Sequence, residues 1–131
     1  MKKLLFLFLL TASFFANAQN KNTSVLAVFL VNGKPNYGGE LMLPEVLSIS
    51  GLFLIKKGVE ANLISFEVAI ILKDGKFPFK VTNYGPTLEE NAKKIFANAN
   101  AGDTIYIDNI MVKTSEETTA RKVNGLMIRV L

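Results

Sequence analysis

A stretch near the C-terminus, Gly102-Asp-Thr-Ile-Tyr-Ile-Asp-Asn-Ile110, constrains the fold more than any other part of this chain. Gly102 and Asp103 predict a turn, because glycine accepts positive φ and aspartate hydrogen-bonds to nearby backbone. Thr104–Val112 is rich in β-branched and aromatic residues and predicts a long strand. Strict alternation would give this strand two faces, with Ile105, Ile107 and Met111 on one side and Tyr106, Asp108, Ile110 and Val112 on the other. Arg121–Leu131 repeats the pattern, so we predict two neighbouring strands joined around Glu116–Thr119.

The first 18 residues have the three parts of a secretory signal peptide. Lys2-Lys3 supply the charge, Leu4–Leu10 begin the apolar region, and Ala16-Asn17-Ala18 fits the cleavage rule. A membrane anchor is the alternative, but the apolar run is shorter than the ~20 residues that span a bilayer. We therefore predict a signal peptide over 1–18, a flexible lead-in over 19–23 and a single domain over 24–131, with no membrane span after cleavage.

The remaining chain contains further strand patterns separated by turn signals. Ser24–Val31 is almost wholly apolar and predicts a buried strand, and the glycine-rich stretch Asn32–Gly39 predicts a loop. Asn62–Leu72 predicts a long strand, which the Asp-Gly pair in Lys73–Lys76 would join by a tight hairpin to a returning strand over Phe77–Asn83. Pro78 would place the start of that strand at an edge or a bulge.

Two helices are predicted between these strands. Thr87-Leu-Glu-Glu90 matches a capping box, and apolar residues at helical spacing follow as far as Asn100. Pro44 suits a first turn, so Leu43–Ser50 predicts a short helix that ends at Gly51. We predict an α+β fold, mainly an antiparallel β-sandwich, with one clear helix and one short helix. An immunoglobulin-like sandwich is one form that such a domain can take.

Composition removes several classes of function. The chain has no cysteine and no histidine, which excludes Ser-His-Asp and Cys-His sites and zinc sites with thiolate or imidazole ligands. A paired-carboxylate hydrolase stays open, but Glu89-Glu90 fits a helix start and Glu116-Glu117 a polar loop. The basic residues are scattered, and the formal net charge is only +4, so we predict no nucleic-acid binding. We predict no enzyme activity, no cofactor and no metal site.

Several motifs together resemble the C-terminal domain of GldM, also called PorM, a motor component of the gliding-motility and type IX secretion apparatus. The resemblance covers about Lys34 to Leu131 and is most specific at Gly102–Ile110. It implies a sandwich-like docking domain with no catalytic residues. Unlike that family, the chain shows no long helical region, and Thr118-Thr119-Ala120 replaces the usual Asp-Gly turn. The other motifs that carry the resemblance are Gly38-Gly39-x-Leu41, Glu45, Gly51-Leu52, Phe66-Glu67-Val68, Asn83-x-Gly85 and Arg121-Lys122-Val123.

From these observations we expect an exported, non-enzymatic protein-interaction module in the periplasm, with an extracellular location as the alternative, and a protein partner in the cell envelope. The strand Arg121–Leu131 has no sequence after it, so an exposed sheet edge there would offer backbone groups to a partner. We predict that the contact residues are Arg121, Lys122, Met127 and Arg129. The alternative function is a secreted small-ligand or glycan-binding sandwich, which would need exposed aromatic residues to cluster; the candidates are Tyr37, Phe77, Phe79, Tyr84 and Tyr106.

Overall fold

The computed structural model describes residues 23–76 and 79–131. Within these residues the chain forms nine strands and two helices, and the signal peptide predicted over 1–18 lies outside them. In chain order the elements are β1 (Ser24–Val31), β2 (Lys34–Asn36), β3 (Gly39–Leu41), α1 (Leu43–Leu47), β4 (Ile49–Lys57), β5 (Ala61–Ile71), β6 (Phe79–Tyr84), α2 (Glu90–Ala97), β7 (Thr104–Thr114), β8 (Arg121–Lys122) and β9 (Leu126–Val130).

A three-stranded antiparallel sheet, in the order β2-β1-β4, forms one layer. The bounds of β1 confirm the predicted strand, although its buried part begins only at Ala27 and Leu26 is exposed. The prediction of a loop over 32–39 is wrong in part, because Asn32 and Gly33 form a two-residue turn between β1 and β2. Their φ angles of 52° and 78° are both positive, as the tightest hairpin turn requires, and asparagine followed by glycine is the pair that adopts it most readily.

The other layer is a six-stranded sheet in the order β3-β9-β7-β5-β6, with β8 paired to the far end of β7. All its pairings are antiparallel except β9 with β3. The predicted hairpin between β5 and β6 is present, with the N–H of Gly75 donating to the carbonyl of Leu72, although its connection is longer than a tight turn. The strand predicted over Arg121–Leu131 is divided into β8 and β9 by the residues 123–125.

The predicted faces of the central strand β7 are right up to Asp108 and wrong beyond it. The pairing of β5 with β7 is irregular at two places, and Asn109 has a positive φ of 47°, so β7 contains a bulge there. The extra residue reverses the alternation: Ile110 and Val112 are buried, whereas Met111 is only half-buried. A strand with period two changes faces whenever one residue is inserted.

Both helices are shorter than predicted. α1 ends at Leu47 instead of Ser50, because Ile49 already pairs with Val31 in the small sheet. Gly51 therefore lies inside β4 rather than at a helix end, and a Cβ there would collide with the carbonyl oxygen of Pro86. α2 begins at Glu90, so the predicted capping box at Thr87 is wrong.

The first turn of α2 is held by a residue from a neighbouring strand. Thr87 bridges to Gly51, and the N–H of Glu89, the residue before the helix, donates to the side-chain oxygen of Asn83 at 2.6 Å. The predicted apolar stripe is confirmed, since all its members are buried; they are Leu88, Ala92, Ile95, Phe96 and Ala99.

The two sheets and α2 enclose one apolar core. Its largest fully buried side chains include Phe29 from the small sheet, Phe66 and Ile107 from the large sheet, and Ile95 from α2. Burial of this apolar surface is the main stabilising contribution in a chain that has no disulfide. The predicted α+β fold, a mainly antiparallel sandwich with two helices, is confirmed.

Candidate functional site

The surface of the large sheet that faces away from the core is the candidate site. Alternation along the strands buries Ile105, Ile107 and Ile128 and turns the residues between them outward. The pairing registers then align Lys80, Ala69, Tyr106 and Met127 in one row across four strands. We call this surface the outer face; its residues include Glu67, Ala69, Lys80, Thr82, Tyr84, Thr104, Tyr106, Asp108, Met111, Lys122, Met127 and Arg129.

Tyr106 lies between two shallow depressions in the outer face. One has a volume of about 210 Å³ and is present because Ala69, beside Tyr106 on β5, has only a methyl side chain. The other has a volume of about 390 Å³ and lies over Gly125, which has no side chain at all. Tyr106 is 39% exposed and Met127 is 43% exposed, so two large apolar groups are accessible beside two recesses.

A network of charged and amide side chains crosses the outer face from β6 to β8. Nζ of Lys80 lies 3.5 Å from Oε1 of Glu67, and Nδ2 of Asn109 donates to the same oxygen at 2.8 Å. Oδ1 of Asn109 in turn accepts from Nζ of Lys122 at 3.2 Å. Exposed ion pairs contribute little to stability. The network does hold its side chains in one arrangement, and the bulge at Asn109 is what brings its amide between the two lysines.

The structure places three of the four predicted contact residues on the same face of the large sheet, with Lys122 toward the far end of β7 from Arg129. Met127 and Arg129 both point outward from β9, and Lys122 reaches the outer face from β8. Arg121 does not join them, because it pairs with the inward-facing Val112.

The guanidinium of Arg121 is bound instead to a nearby carboxylate, with its Nε 2.9 Å from Oε2 of Glu117. Partial burial raises the pKa of Glu117, but hydrogen bonds from Thr114 and Arg121 and the charge of Arg121 outweigh that effect. The pKa of Glu117 consequently lies below its ordinary value.

The expectation that β9 lies at a sheet edge is wrong. β9 pairs with β7 on one side and with β3 on the other, where Ile128, Arg129 and Val130 align with residues 39–41. The N–H of Leu131 continues this ladder by donating to the carbonyl of Leu41 at 2.9 Å. A segment earlier in the chain covers β9, and its distance in sequence concealed this pairing.

Sequence reasoning did not identify Glu67, Lys80 or Asp108 as site residues. The alternation in β5 and β7 was the available signal, because Glu67 and Ala69 are two residues apart in one strand and Tyr106 and Asp108 are two residues apart in the other. What was missing is the pairing register, which sets Tyr106 directly beside Ala69.

The aromatic candidates of the glycan-binding alternative do not form a cluster, although Tyr84 and Tyr106 both lie on the outer face. Tyr84 aligns with Ser65, whereas Tyr106 aligns with Ala69. Four residues of extended strand separate these positions by about 13 Å. Tyr37 lies in the connection between β2 and β3, and Phe77 falls outside the described residues.

Two further observations describe the chemistry of the chain. Across residues 23–76 and 79–131, no group of three or more acidic side chains is placed to hold a metal ion. Neither α1 nor α2, the helices of that same part of the chain, is long and apolar enough to cross a bilayer.

Comparison with known families gives the relationship of the chain. Residues 56–131, from the end of β4 to the C-terminus, match the family described as the GldM C-terminal domain. The chain belongs to this family. The match includes the motifs at Gly102–Ile110, Phe66–Val68, Asn83-x-Gly85 and Arg121–Val123, whereas the glycine motifs before residue 56 lie outside it. No curated protein matches the chain.

Membership of the GldM C-terminal domain family relates the chain to the gliding-motility and type IX secretion machinery of the cell envelope. The matched segment contains β5, β6, β7, β8 and β9. It therefore includes every residue of the outer face.

Proposed function

We propose that this chain is an exported, non-enzymatic docking module that binds a protein partner of the gliding-motility or type IX secretion machinery in the periplasm. The observation that carries the proposal is the outer face, where Tyr106 and Met127 lie exposed side by side in the middle of the large sheet. This surface is the contact site, in place of a sheet edge at β9.

The composition of the outer face suits protein recognition. Tyrosine, methionine and arginine are enriched in protein interfaces, and the strongest contacts lie centrally within a polar rim. Tyr106 and Met127 would form the centre, with Lys122 and Arg129 in the rim. The recesses over Ala69 and Gly125 would accept side chains of the partner on both sides of the tyrosine ring.

The outer face is also held rigidly. Residues that alternate with Tyr106 and Met127, namely Ile105, Ile107 and Ile128, are at most 1% exposed and anchor the same strands in the core. Binding of a partner here would cost little conformational entropy in the backbone of this chain, which favours affinity.

Export and the absence of enzyme activity rest on the sequence. Residues 1–18 carry the charged, apolar and cleavage regions of a signal peptide, and the family belongs to the cell envelope. The chain also contains neither histidine nor cysteine, the usual proton-transfer and thiol groups of catalytic sites.

The test is affinity capture of partners with the tagged full chain expressed in its native cells. We expect Tyr106→Ala to reduce the captured partner at least about tenfold, the loss typical of a central interface residue. Tyr84→Ala is the matched control, because it removes an exposed tyrosine from the same face of the sheet, about 13 Å along the strands from the row that contains Tyr106 and Met127. Thermal melting should show that both variants are folded.

Three results would contradict the proposal. Equal loss of capture in both tyrosine variants would contradict the central position of Tyr106 in the contact site, and full capture by Tyr106→Ala would contradict its part in binding. Recovery of the chain from the cytoplasm in its uncleaved form would overturn the proposed export.

A further inference from the structure

A cleft outside the outer face lies between the end of α1 and the side of α2. Its volume is about 460 Å³, which is within the range of ligand-binding pockets and exceeds that of either recess on the outer face. Leu47 and Ser50 line one wall, and Lys93, Phe96 and Ala97 line the other.

The base of this cleft is fixed by a close approach of two backbone segments. Gly51 bridges to Thr87, and the absence of a side chain at Gly51 lets the backbones come together. The N–H of Leu52 donates to the carbonyl of Pro86 at 2.9 Å, and the N–H of Leu88 donates to the carbonyl of Ser50 at 3.0 Å. The cleft is therefore preformed, since its walls are tied to β4 and do not depend on a bound ligand.

The walls of the cleft combine apolar surface with one positive charge. Leu47 is 54% exposed at the rim, whereas Leu88 and Phe96 are buried at the base. Lys93 is the charged residue of the lining, and it forms no ion pair within residues 23–76 and 79–131. A group that fills this cleft should therefore be apolar and should carry a negative charge at one end.

We propose that the cleft binds a segment of a partner protein in which a large aliphatic or aromatic side chain is followed directly by a carboxylate. The apolar side chain would lie between Leu47 and Phe96, and the carboxylate would pair with Lys93. Charge complementarity identifies an anionic occupant. The exposed Leu47 favours a peptide over a free amphiphile, because its apolar surface continues outside the cleft, where flanking residues of a chain would cover it.

This inference is independent of the outer face, since the cleft and the outer face share no lining residue. Failure of one site to bind leaves the other unaffected.

The test is an NMR titration of the isotope-labelled full chain with the peptide acetyl-Gly-Leu-Asp-Gly-amide at millimolar concentration. We expect amide shifts concentrated in residues 47–52 and 87–97. Replacing aspartate by asparagine in the peptide should weaken binding about two- to fivefold, the size of an exposed ion pair. Replacing leucine by glycine should weaken it about tenfold or more, because the buried apolar group is lost.

Two variants of the chain localise the binding. Lys93→Gln should abolish the preference for aspartate over asparagine, whereas Lys94→Gln, a lysine on the same helix that does not line the cleft, should leave it unchanged. Ala97→Phe should occupy the cleft and remove binding of both peptides. If Ala97→Phe does not fold, the lysine pair still decides the result.

Other outcomes would overturn the proposal. One is the absence of amide shifts at millimolar peptide, and another is an equal effect of the two lysine variants. A third is that octanoate, a free amphiphile, binds in the cleft and the peptides do not. Concentration-dependent shifts of residues 47–52 without any peptide would identify a second copy of the chain as the occupant and would also overturn it.

Discussion

Asparagine and aspartate side chains do more in this protein than form turns. Asn83 and Asp103 are almost fully buried, and each holds together segments that are distant in sequence or direction. Oδ1 of Asp103 accepts from the N–H of Lys73 at 3.0 Å, and its Oδ2 accepts from the N–H of Asn100 at 2.8 Å. The prediction that Asp103 bonds its own turn recognised the residue as a backbone acceptor but could not identify a donor 30 positions away.

Asn124 joins the two sheets, and its removal tests that contact. Its side-chain oxygen accepts from the N–H of Ala27 at 2.9 Å, and its amide donates to the carbonyl of Ala27 at 3.0 Å. β2 pairs only with residues 29–31 of β1 and leaves Ala27 uncovered on that side. Asn124 therefore takes the place that a paired strand residue would have there. We expect Asn124→Ala to lower the free energy of unfolding by about 1–3 kcal/mol, because both backbone groups lose their partner.

Urea denaturation would measure this effect, with the exposed Asn62→Ala as the control for loss of an asparagine from a strand. An equal change in both variants would mean that the contact with Ala27 contributes nothing specific.

Glu117 gives the protein a pH-dependent contribution to stability. Its pKa in the folded state lies below the ordinary value of 4.5, so the charged form is favoured by folding. This contribution is fully present above the unfolded-state pKa and is lost as the pH falls through the folded-state pKa. We expect Glu117→Gln to destabilise the protein at neutral pH but to have little effect at the acid end of a melting-temperature profile. A constant difference at every pH would contradict the assignment.

At the scale of elements, β7 was recognised from sequence but its bulge was not. The β-branched composition identified the strand, whereas the change of face depends on Asn109, which adopts a positive φ that asparagine tolerates better than most residues. Nothing in the sequence distinguishes this asparagine from one in a regular strand. The faces of a strand are thus predictable only as far as its first irregularity.

Because of the bulge, we expect substitutions at Ile110 and Met111 to affect stability in the opposite order from that expected for strict alternation. Ile107→Ala and Ile110→Ala should each cost about 2–5 kcal/mol of unfolding free energy, because both side chains are at most 1% exposed and would leave cavities. Met111→Ala should cost much less, since Met111 is half-buried on the other side. Chemical denaturation of the three variants distinguishes the cases: strict alternation requires Met111, and not Ile110, to be the costly position.

The start of α2 depends on a residue that precedes the helix by several positions. Asn83 donates to the carbonyls of Gly85 and Thr87 and accepts from the N–H of Glu89. We expect Asn83→Ala to cost about 1–3 kcal/mol, because it leaves buried backbone groups without partners. Thr87→Ala should change stability by no more than about 0.5 kcal/mol, since its side chain caps nothing. Circular dichroism during thermal unfolding would show which variant is less stable. A larger loss of stability in Thr87→Ala would mean that Thr87 caps the helix after all.

At the scale of the whole molecule, the class of fold could be predicted because each local pattern supports it. Alternating strands, one amphipathic stripe and the turn residues all favour a sandwich with helices at one end. The arrangement of strands could not be predicted, because the parallel pairing of β3 with β9 joins residues nearly 90 positions apart. The same holds for the candidate site. Met127 and Arg129 could be identified from sequence, but the residues beside them could not, because these depend on the order of the strands.

The lack of cysteine and histidine leads to one prediction for the whole chain. Its melting temperature should be the same in reducing and oxidising buffer and should not change with zinc, because only oxygen ligands, which suit calcium or magnesium, are present in number. Differential scanning calorimetry with zinc, with calcium and with chelator would measure this. A zinc-specific rise in melting temperature would contradict it.

The irregularities in β5 and β7 have a consequence for how the length of this chain can change. One extra residue in β5, near Ile64, is matched by one in β7, at Asn109, so that Ala61 and Thr114 are again in register beyond them. Deleting either residue alone would turn the rest of its strand inside out relative to the neighbouring strand. We therefore expect an insertion or deletion in only one of the strands 61–71 and 104–114 to disrupt the fold. The connections at 73–76 and 115–120 should tolerate changes in length.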